Sequence, residues 1–260
     1  MLLTIDIGNT LISIAVYEKE EILYTFETKS DVDKSLDEYV ALFTSFCEFK
    51  KIGNKQIKSA IIASVVPLLT KVIEKAIKTV CKTDTLILGP GIKTGLPVLI
   101  DHPLELGSDL VAVSVGGISK YGKPLIIVDL GTAIKVIAIN KQGAFVGTAF
   151  HPGLYVGVDA LISRAAQLLS ISLTPPKKVI GKNTLDATNS GALYGASEMI
   201  KGLVKLFEKE LGYETKHLLT GGDALYVKDL LPSFTYDAKL VHIGLKEIFE
   251  KNERAKNDDK

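Results

Sequence analysis

The chain has 260 residues, 31 Lys+Arg against 30 Asp+Glu, and a formal net charge of +1. Charge balance this even argues against a partner held by broad electrostatics, nucleic acid above all. With 47% hydrophobic and 23% charged residues the composition is that of an ordinary soluble globular protein, with chain enough for one large domain or two of ordinary size.

The N-terminal stretch Met1-Leu2-Leu3-Thr4-Ile5-Asp6 has no basic leader segment and reaches a carboxylate at once, so the expected setting is the cytoplasm. No run approaches the ~20 apolar residues of a membrane span, and no membrane partner is expected. Residues 2–7 form a short apolar run that stops at Asp6-Ile7-Gly8-Asn9-Thr10, and residues 11–17 resume a β-rich pattern. Strand, tight Gly turn, strand is the simplest reading, with a third strand over 21–28. Ser30 and Asp33 read as a capping-box-like start to a helix whose apolar positions are Leu36, Tyr39, Val40, Phe43, Phe46 and Cys47. Cys47 and Cys81 stand alone and far apart, so neither a disulfide framework nor a zinc site is expected, and Cys47 reads as a buried thiol. Residues 60–66 predict a buried strand, Pro67 opens the next helix, and 85–88 predict a further strand. From 89 to 107 glycine and proline become frequent. So long an irregular stretch inside a compact domain is either functional or a misassigned element, and a helix follows over 108–120.

The second half restarts the pattern. Residues 125–128 predict a buried strand ending at Asp129-Leu130-Gly131-Thr132-Ala133, and 134–139 a strand again. Asp-x-Gly-Asn-Thr and, 123 residues later, Asp-x-Gly-Thr-Ala thus each lie between two apolar strands, an internal duplication. A third Gly turn closes a strand at Thr220-Gly221-Gly222, and Ala192, Ala196, Met199, Ile200, Leu203, Val204, Phe207 and Leu211 mark a long amphipathic helix closing at Gly212. The charged tail from Lys251 onward is expected to fray.

A Gly turn at a strand end lets backbone N–H groups approach an anion with no Cβ in the way. A carboxylate just before it would repel that anion unless a divalent cation bridges them, and Mg²⁺ favours one or two carboxylates with phosphate oxygens and waters. Two such turns, one per half, facing a shared cleft are the layout expected for phosphoryl transfer. One such motif alone is as readily a plain turn; the set of three is harder to explain that way. Asp109, at the start of a helix, reads in isolation as a carboxylate that stabilises the helix N-terminus.

Asp6-Ile7-Gly8-Asn9-Thr10, Asp129-Leu130-Gly131-Thr132-Ala133 and Leu219-Thr220-Gly221-Gly222 together resemble the phosphate and nucleotide motifs of the acetate/sugar kinase, Hsp70 and actin superfamily. With Gly89-Pro90-Gly91-Ile92-Lys93-Thr94-Gly95-Leu96-Pro97, Gly107-Ser108-Asp109, His151-Pro152-Gly153, and Gly181-Lys182-Asn183-Thr184 followed by Ser190-Gly191, the chain resembles a type III pantothenate kinase over nearly its whole length. The resemblance implies an α/β fold, a duplicated ribonuclease H-like (actin-like ATPase) architecture with two mixed-sheet halves, 1–119 and 120–260, around a nucleotide cleft. It implies ATP-dependent phosphorylation of pantothenate, the first step toward coenzyme A. It assigns ATP phosphates and Mg²⁺ to Asp6, Gly8, Asn9 and Thr10, further nucleotide contacts to Gly131, Thr132, Gly221 and Gly222, and the base to Asp109. Gly107, Ser108 and Thr184 fall to the substrate, Thr184 from the neighbouring subunit of a homodimer. The helix around 190–211 is expected to help form that interface, although its apolar residues suit core packing equally well. A monovalent cation, K⁺ or NH₄⁺, falls to Asp129.

The departures from the family pattern cluster on the substrate side. Leu110 stands where the family has Arg directly after the catalytic Asp, and a Leu supplies neither guanidinium donors nor charge. Ile100-Asp101-His102-Pro103 replaces Tyr-x-Asn-Pro, Thr132-Ala133-Ile134-Lys135 replaces Thr-Ala-Thr-Thr, Gly147-Thr148-Ala149-Phe150 lacks a Gly pair, and Ala165-Ala166 replaces Thr-Ala. Lys135, His102, His151 and Arg164 are the candidates to meet a substrate carboxylate, whereas His217 and His242 read as surface or packed-core imidazoles. The departures also admit a nucleotide-binding regulatory homologue without turnover, or a kinase of another small hydroxylated acceptor.

Overall fold

The computed structural model describes residues 1–53, 56–164 and 172–258. Two compact units emerge: Met1–Leu96, His102–Ser119 and Leu240–Lys260 form the first, Pro97–Asp101 and Lys120–Lys239 the second. Each is built on a five-stranded mixed sheet.

In the first unit β1 (Leu2–Ile7), β2 (Leu11–Glu18) and β3 (Glu21–Lys29) form an antiparallel meander, and β4 (Ser59–Ser64) and β5 (Thr85–Ile87) add in parallel, in the order β3-β2-β1-β4-β5. The second unit repeats this with β6 (Leu125–Leu130), β7 (Ala133–Ile139), β8 (Phe145–Pro152), β9 (Lys216–Thr220) and β10 (Thr235–Tyr236), ordered β10-β9-β6-β7-β8. The duplicated Asp-Gly motif is therefore one visible end of a duplicated sheet. β1 and β6 are central in their sheets, and their near-continuous apolar sequences follow from cover on both faces.

Helices α1 (Leu36–Phe49) and α2 (Pro67–Cys81) close one face of the first sheet through Tyr39, Phe43, Leu69, Ile73 and Ile77, all buried. The start of α1 differs from expectation. Its N-cap is Ser35, which with Glu38 forms a full capping box, while the Ser30 hydroxyl donates to the Gly8 carbonyl. Ser35-x-x-Glu38 lies nearer the apolar run and carries the glutamate that Asp33 lacks. Cys47 and Cys81 are both buried and free but not alone: their thiols hydrogen-bond, which together with burial pushes Cys81 up.

The opposite face is covered by α3 (Ser108–Tyr121) and α6 (Leu240–Asp258), with Ala112, Leu245 and Ile248 packed on Ile61 and Ala63. A methyl group at Gly116 or Gly244 would collide with the facing backbone of Leu240 or Ala112, so glycine sets how closely these two helices approach. Chain order alone puts α6 with the second half; its packing is with the first unit. Where fraying is expected from Lys251, α6 runs on to Asp258, the last described residue. The Asn252 side chain anchors it there, donating to the Lys93 carbonyl at 3.0 Å and accepting from the Lys93 N–H at 3.1 Å.

In the second unit α5 (Thr184–Leu211) packs Leu193, Ile200 and Val204 against Ile126, Val128 and Val136. Its N-cap is Asn183 and its C-cap Gly212 at φ +77°. Among the elements not foreseen are β8 and α4 (Leu154–Arg164). Gly147, His151 and Pro152 break the strand alternation of the first, and Gly157 weakens the helical pattern of the second. Ala165 and Ala166 lie outside the described residues.

Candidate active site

In the first unit, parallel pairing sets Asp6 beside Ala63 and Ile7 beside Ser64, so β1 and β4 end together. The carboxyl ends of parallel strands are where open α/β sheets bind ligands. Beyond Ile7 the chain turns through Gly8, whose N–H donates to the Leu11 carbonyl at 3.0 Å. Asn9 and Thr10 are exposed at the tip, and Asp6 is half-buried at its base. A Cβ on Gly8 would press to 3.2 Å on that same carbonyl.

Asp109 is brought to this edge by Ser108. The Ser64 N–H donates to the Ser108 hydroxyl oxygen at 2.8 Å, and that hydroxyl donates back to the Ser64 carbonyl at 3.0 Å. The pair fastens the N-terminus of α3 to the end of β4, next to the end of β1. Asp109, second residue of α3, folds back over Gly107, where a side chain would collide with its Oδ1; the Gly107 carbonyl accepts the first helical bond, from Val111, at 3.1 Å. Asp109 thus stands at the positive end of a helix dipole. Ser64 escaped the sequence reading, although a lone hydroxyl inside the apolar run 60–66 was its signal. Leu110 is buried.

The second unit builds its turn from the ends of four strands. Asp129 lies directly opposite Lys135 in the β6–β7 pair, and Lys135 Nζ is 2.8 Å from Asp129 Oδ2 with both side chains largely buried. The Gly153 N–H donates to the Thr132 carbonyl at 3.0 Å, and a Cβ on Gly153 would strike the backbone of Gly131 and Thr132. Gly221, at φ +92°, packs so closely on Leu130 and the Asp129 carboxylate that only glycine fits. Gly131 and Gly222 have open space where a side chain would stand, so their backbone is approachable. Asp223 follows, its carboxyl pushed up to about 6 by burial first and by the nearby Asp129 charge second.

Thr184 is exposed at the first turn of α5 and borders a cavity of about 540 Å³ with Leu161, Gly181 and Lys182. An adjoining cavity of about 340 Å³ is lined by His151, Gly153, Gly157, Gly191 and Gly195 among others. Of the four candidates to meet a substrate carboxylate, Lys135 is engaged by Asp129, His151 sits on this cavity with Nδ1 against its neighbour's carbonyl, and His102 and Arg164 are exposed. His242 is a packed-core imidazole, held by Thr4 at 2.9 Å and Ser13 at 3.0 Å. His217 is half-buried against Glu208 at 2.9 Å. Among the described residues no group of three or more His, Cys, Asp and Glu could hold a metal by itself, and no helix is long and apolar enough to cross a membrane.

A family model for type III pantothenate kinases matches residues 2–206. A type III pantothenate kinase of Brevibacillus brevis (strain 47 / JCM 6285 / NBRC 100599) is 37% identical over 254 residues, 97% of this chain and 100% of that protein. Among solved structures, the activator of the 2-hydroxyisocaproyl-CoA dehydratase from Clostridium difficile, with ADPNP bound, superposes with TM-score 0.54 at 11% identity, over 98% of this chain and 97% of the other. MreB5 of Spiroplasma citri, bound to ADP, gives 0.53 at 12%, over 100% and 98%. At such identities these two bear on the fold alone, and it is the α/β, actin-like fold with two mixed sheets.

Proposed function

The chain belongs to the type III pantothenate kinase family, and on that premise we propose which of its residues carry the reaction. The activity is ATP-dependent phosphorylation of pantothenate, within coenzyme A biosynthesis. Identity of 37% across 97% of the chain does not favour the regulatory homologue or the kinase of another acceptor.

Asp109 is the base. Its carboxylate orients the pantothenate hydroxyl and takes the proton late, as the hydroxyl oxygen bonds to the γ-phosphorus and the bond to the β–γ bridging oxygen breaks, leaving ADP. The observation that carries this role is the Ser108–Ser64 hydrogen-bond pair, which anchors Asp109 at the strand edge where Asp6 lies. Gly8, Asn9 and Thr10 receive the ATP phosphates. Asp6 is the carboxylate for Mg²⁺, and the donor set fits: one half-buried carboxylate below an exposed Gly turn, in a chain with no all-protein metal cage among its described residues, suits an ion that keeps waters and binds through phosphate oxygens. The bound metal neutralises phosphate charge. Gly131, Thr132, Gly221 and Gly222 contribute the second unit's nucleotide contacts, a role supported by the open flanks of Gly131 and Gly222.

Gly107 and Ser108 take the substrate side of Asp109, and Thr184 serves the site of a second subunit in a homodimer. Exposed Leu161 and Leu185 beside Thr184 support that association. The setting of this reading is the cytoplasm.

The test is ADP release with MgATP, with and without pantothenate, for the wild type and Asp109→Asn. Pantothenate-dependent release that vanishes in the variant is expected. Equal release by both proteins would overturn the role of Asp109, and no release with any preparation that binds ATP would overturn the kinase reading.

A further inference from the structure

The family resemblance places a monovalent cation at Asp129, and the residues present do not fit one. Asp129 and Lys135 are direct cross-strand partners, so both side chains project on the same face of the sheet. Lys135 Nζ lies 2.8 Å from Asp129 Oδ2, with side-chain exposures of 20% and 14%. Such a pair is screened far less by salt than one at the surface. The other oxygen, Oδ1, faces the Gly221 α-carbon so closely that no methyl group fits between. The duplicated hairpin of the first unit supplies an internal comparison: there the partner opposite Asp6 is Ser13, a hydroxyl held 3.0 Å from His242 Nε2. The second copy differs at this place by a full positive charge.

We propose that the Lys135 ammonium permanently replaces the monovalent cation at Asp129, so that this chain binds nucleotide and turns over without K⁺ or NH₄⁺. An ammonium group carries the same single charge and donates three hydrogen bonds. Being tethered, it meets Asp129 at an effective concentration that free salt does not match, and its charge repels a second cation from the same carboxylate. Lys135 is thereby a positioning residue of the nucleotide turn and is withdrawn from the set that could anchor the substrate acid. The inference rests on the kinase reading, because only a nucleotide site gives the turn something to position.

The test compares wild type and Lys135→Thr in tetramethylammonium chloride, KCl and NH₄Cl at equal ionic strength. The readouts are MgADP affinity by calorimetry, the thermal unfolding midpoint with MgADP, and pantothenate-dependent ADP release. The wild type is expected to change by less than about twofold among the three salts. The variant is expected to lose at least about tenfold in MgADP affinity in tetramethylammonium chloride and to recover in KCl or NH₄Cl. Circular dichroism in each salt separates this from failure to fold, and Lys135→Arg, which keeps the charge, is expected to remain salt-indifferent. A wild type stimulated tenfold by KCl would overturn the proposal. So would a folded Lys135→Thr that no cation restores, the result expected if Lys135 instead holds phosphate. Absence of pantothenate turnover in every salt, with the binding and unfolding readouts behaving as stated, would sink the acceptor assignment and leave the cation replacement standing.

Discussion

Asp109 shows how a single residue acquires a role from its neighbours. A carboxylate at a helix start is commonplace, but the Ser108–Ser64 pair fixes this one at the edge shared by β1 and β4. We expect Asp109→Asn to lower pantothenate-dependent turnover by about 10²–10⁴-fold with MgADP affinity little changed, measured by coupled ADP release and calorimetry. Removing the anchor, Ser108→Ala, should lower kcat more than it raises KM, because it frees the base without deleting it. His242 supplies the residue-scale pH dependence. Burial lowers its pKa to about 4, against about 6.5 in the unfolded chain. The unfolded state therefore binds the proton more readily below 6.5. The stability this imidazole contributes is complete above that value and is lost as pH falls from 6.5 toward 4, by about 3 kcal/mol at most. Denaturant melts across this window should show a shallower slope for His242→Gln than for wild type; identical slopes would refute the assignment.

At the scale of elements, the start of α1 illustrates what short patterns can and cannot decide. Ser30 and Ser35 both precede the apolar run, but only Ser35 has a glutamate three residues on, and the reciprocal bonds form there. Ser35→Ala should cost about 1 kcal/mol of stability, and Ser30→Ala should act instead on the Gly8 turn through the lost bond to its carbonyl. Chemical denaturation of the two variants distinguishes these effects. Strands β1, β2, β6 and β7 were legible because their apolar runs end at glycine turns, and α2 because Pro67 opens a periodic stretch. β8 and α4 were not, since glycines within them erase local propensity and only packing restores it: Gly153 seats β8 on the turn at Thr132.

For the molecule as a whole, α6 is the last element made, yet it completes the unit begun by the first. It supplies Leu245 and Ile248 to the face of β4 and His242 to Thr4 of β1 and Ser13 of β2. A chain ending at Lys239 is expected to lose the cooperative melting of the first unit and its MgADP binding, read by circular dichroism and calorimetry, while peptide bonds of the second unit remain protected in hydrogen exchange. Retention of nucleotide binding by the truncated chain would contradict this.

The sequence by itself determined the duplicated strand–turn–strand units, the Asp-Gly turns at their ends and the family they resemble. These are local: a few adjacent residues carry the backbone freedom, the charge and the apolar run that each requires. Tertiary structure decided the rest. Ser64 meets Ser108 across 44 residues, Cys47 meets Cys81 between two helices, and α6 returns to the first sheet. The pairing of Lys135 with Asp129 depends on strand register, which turn and packing set jointly. A departure from a family motif thereby becomes, once folded, an ion pair in which one side chain of this protein neutralises another.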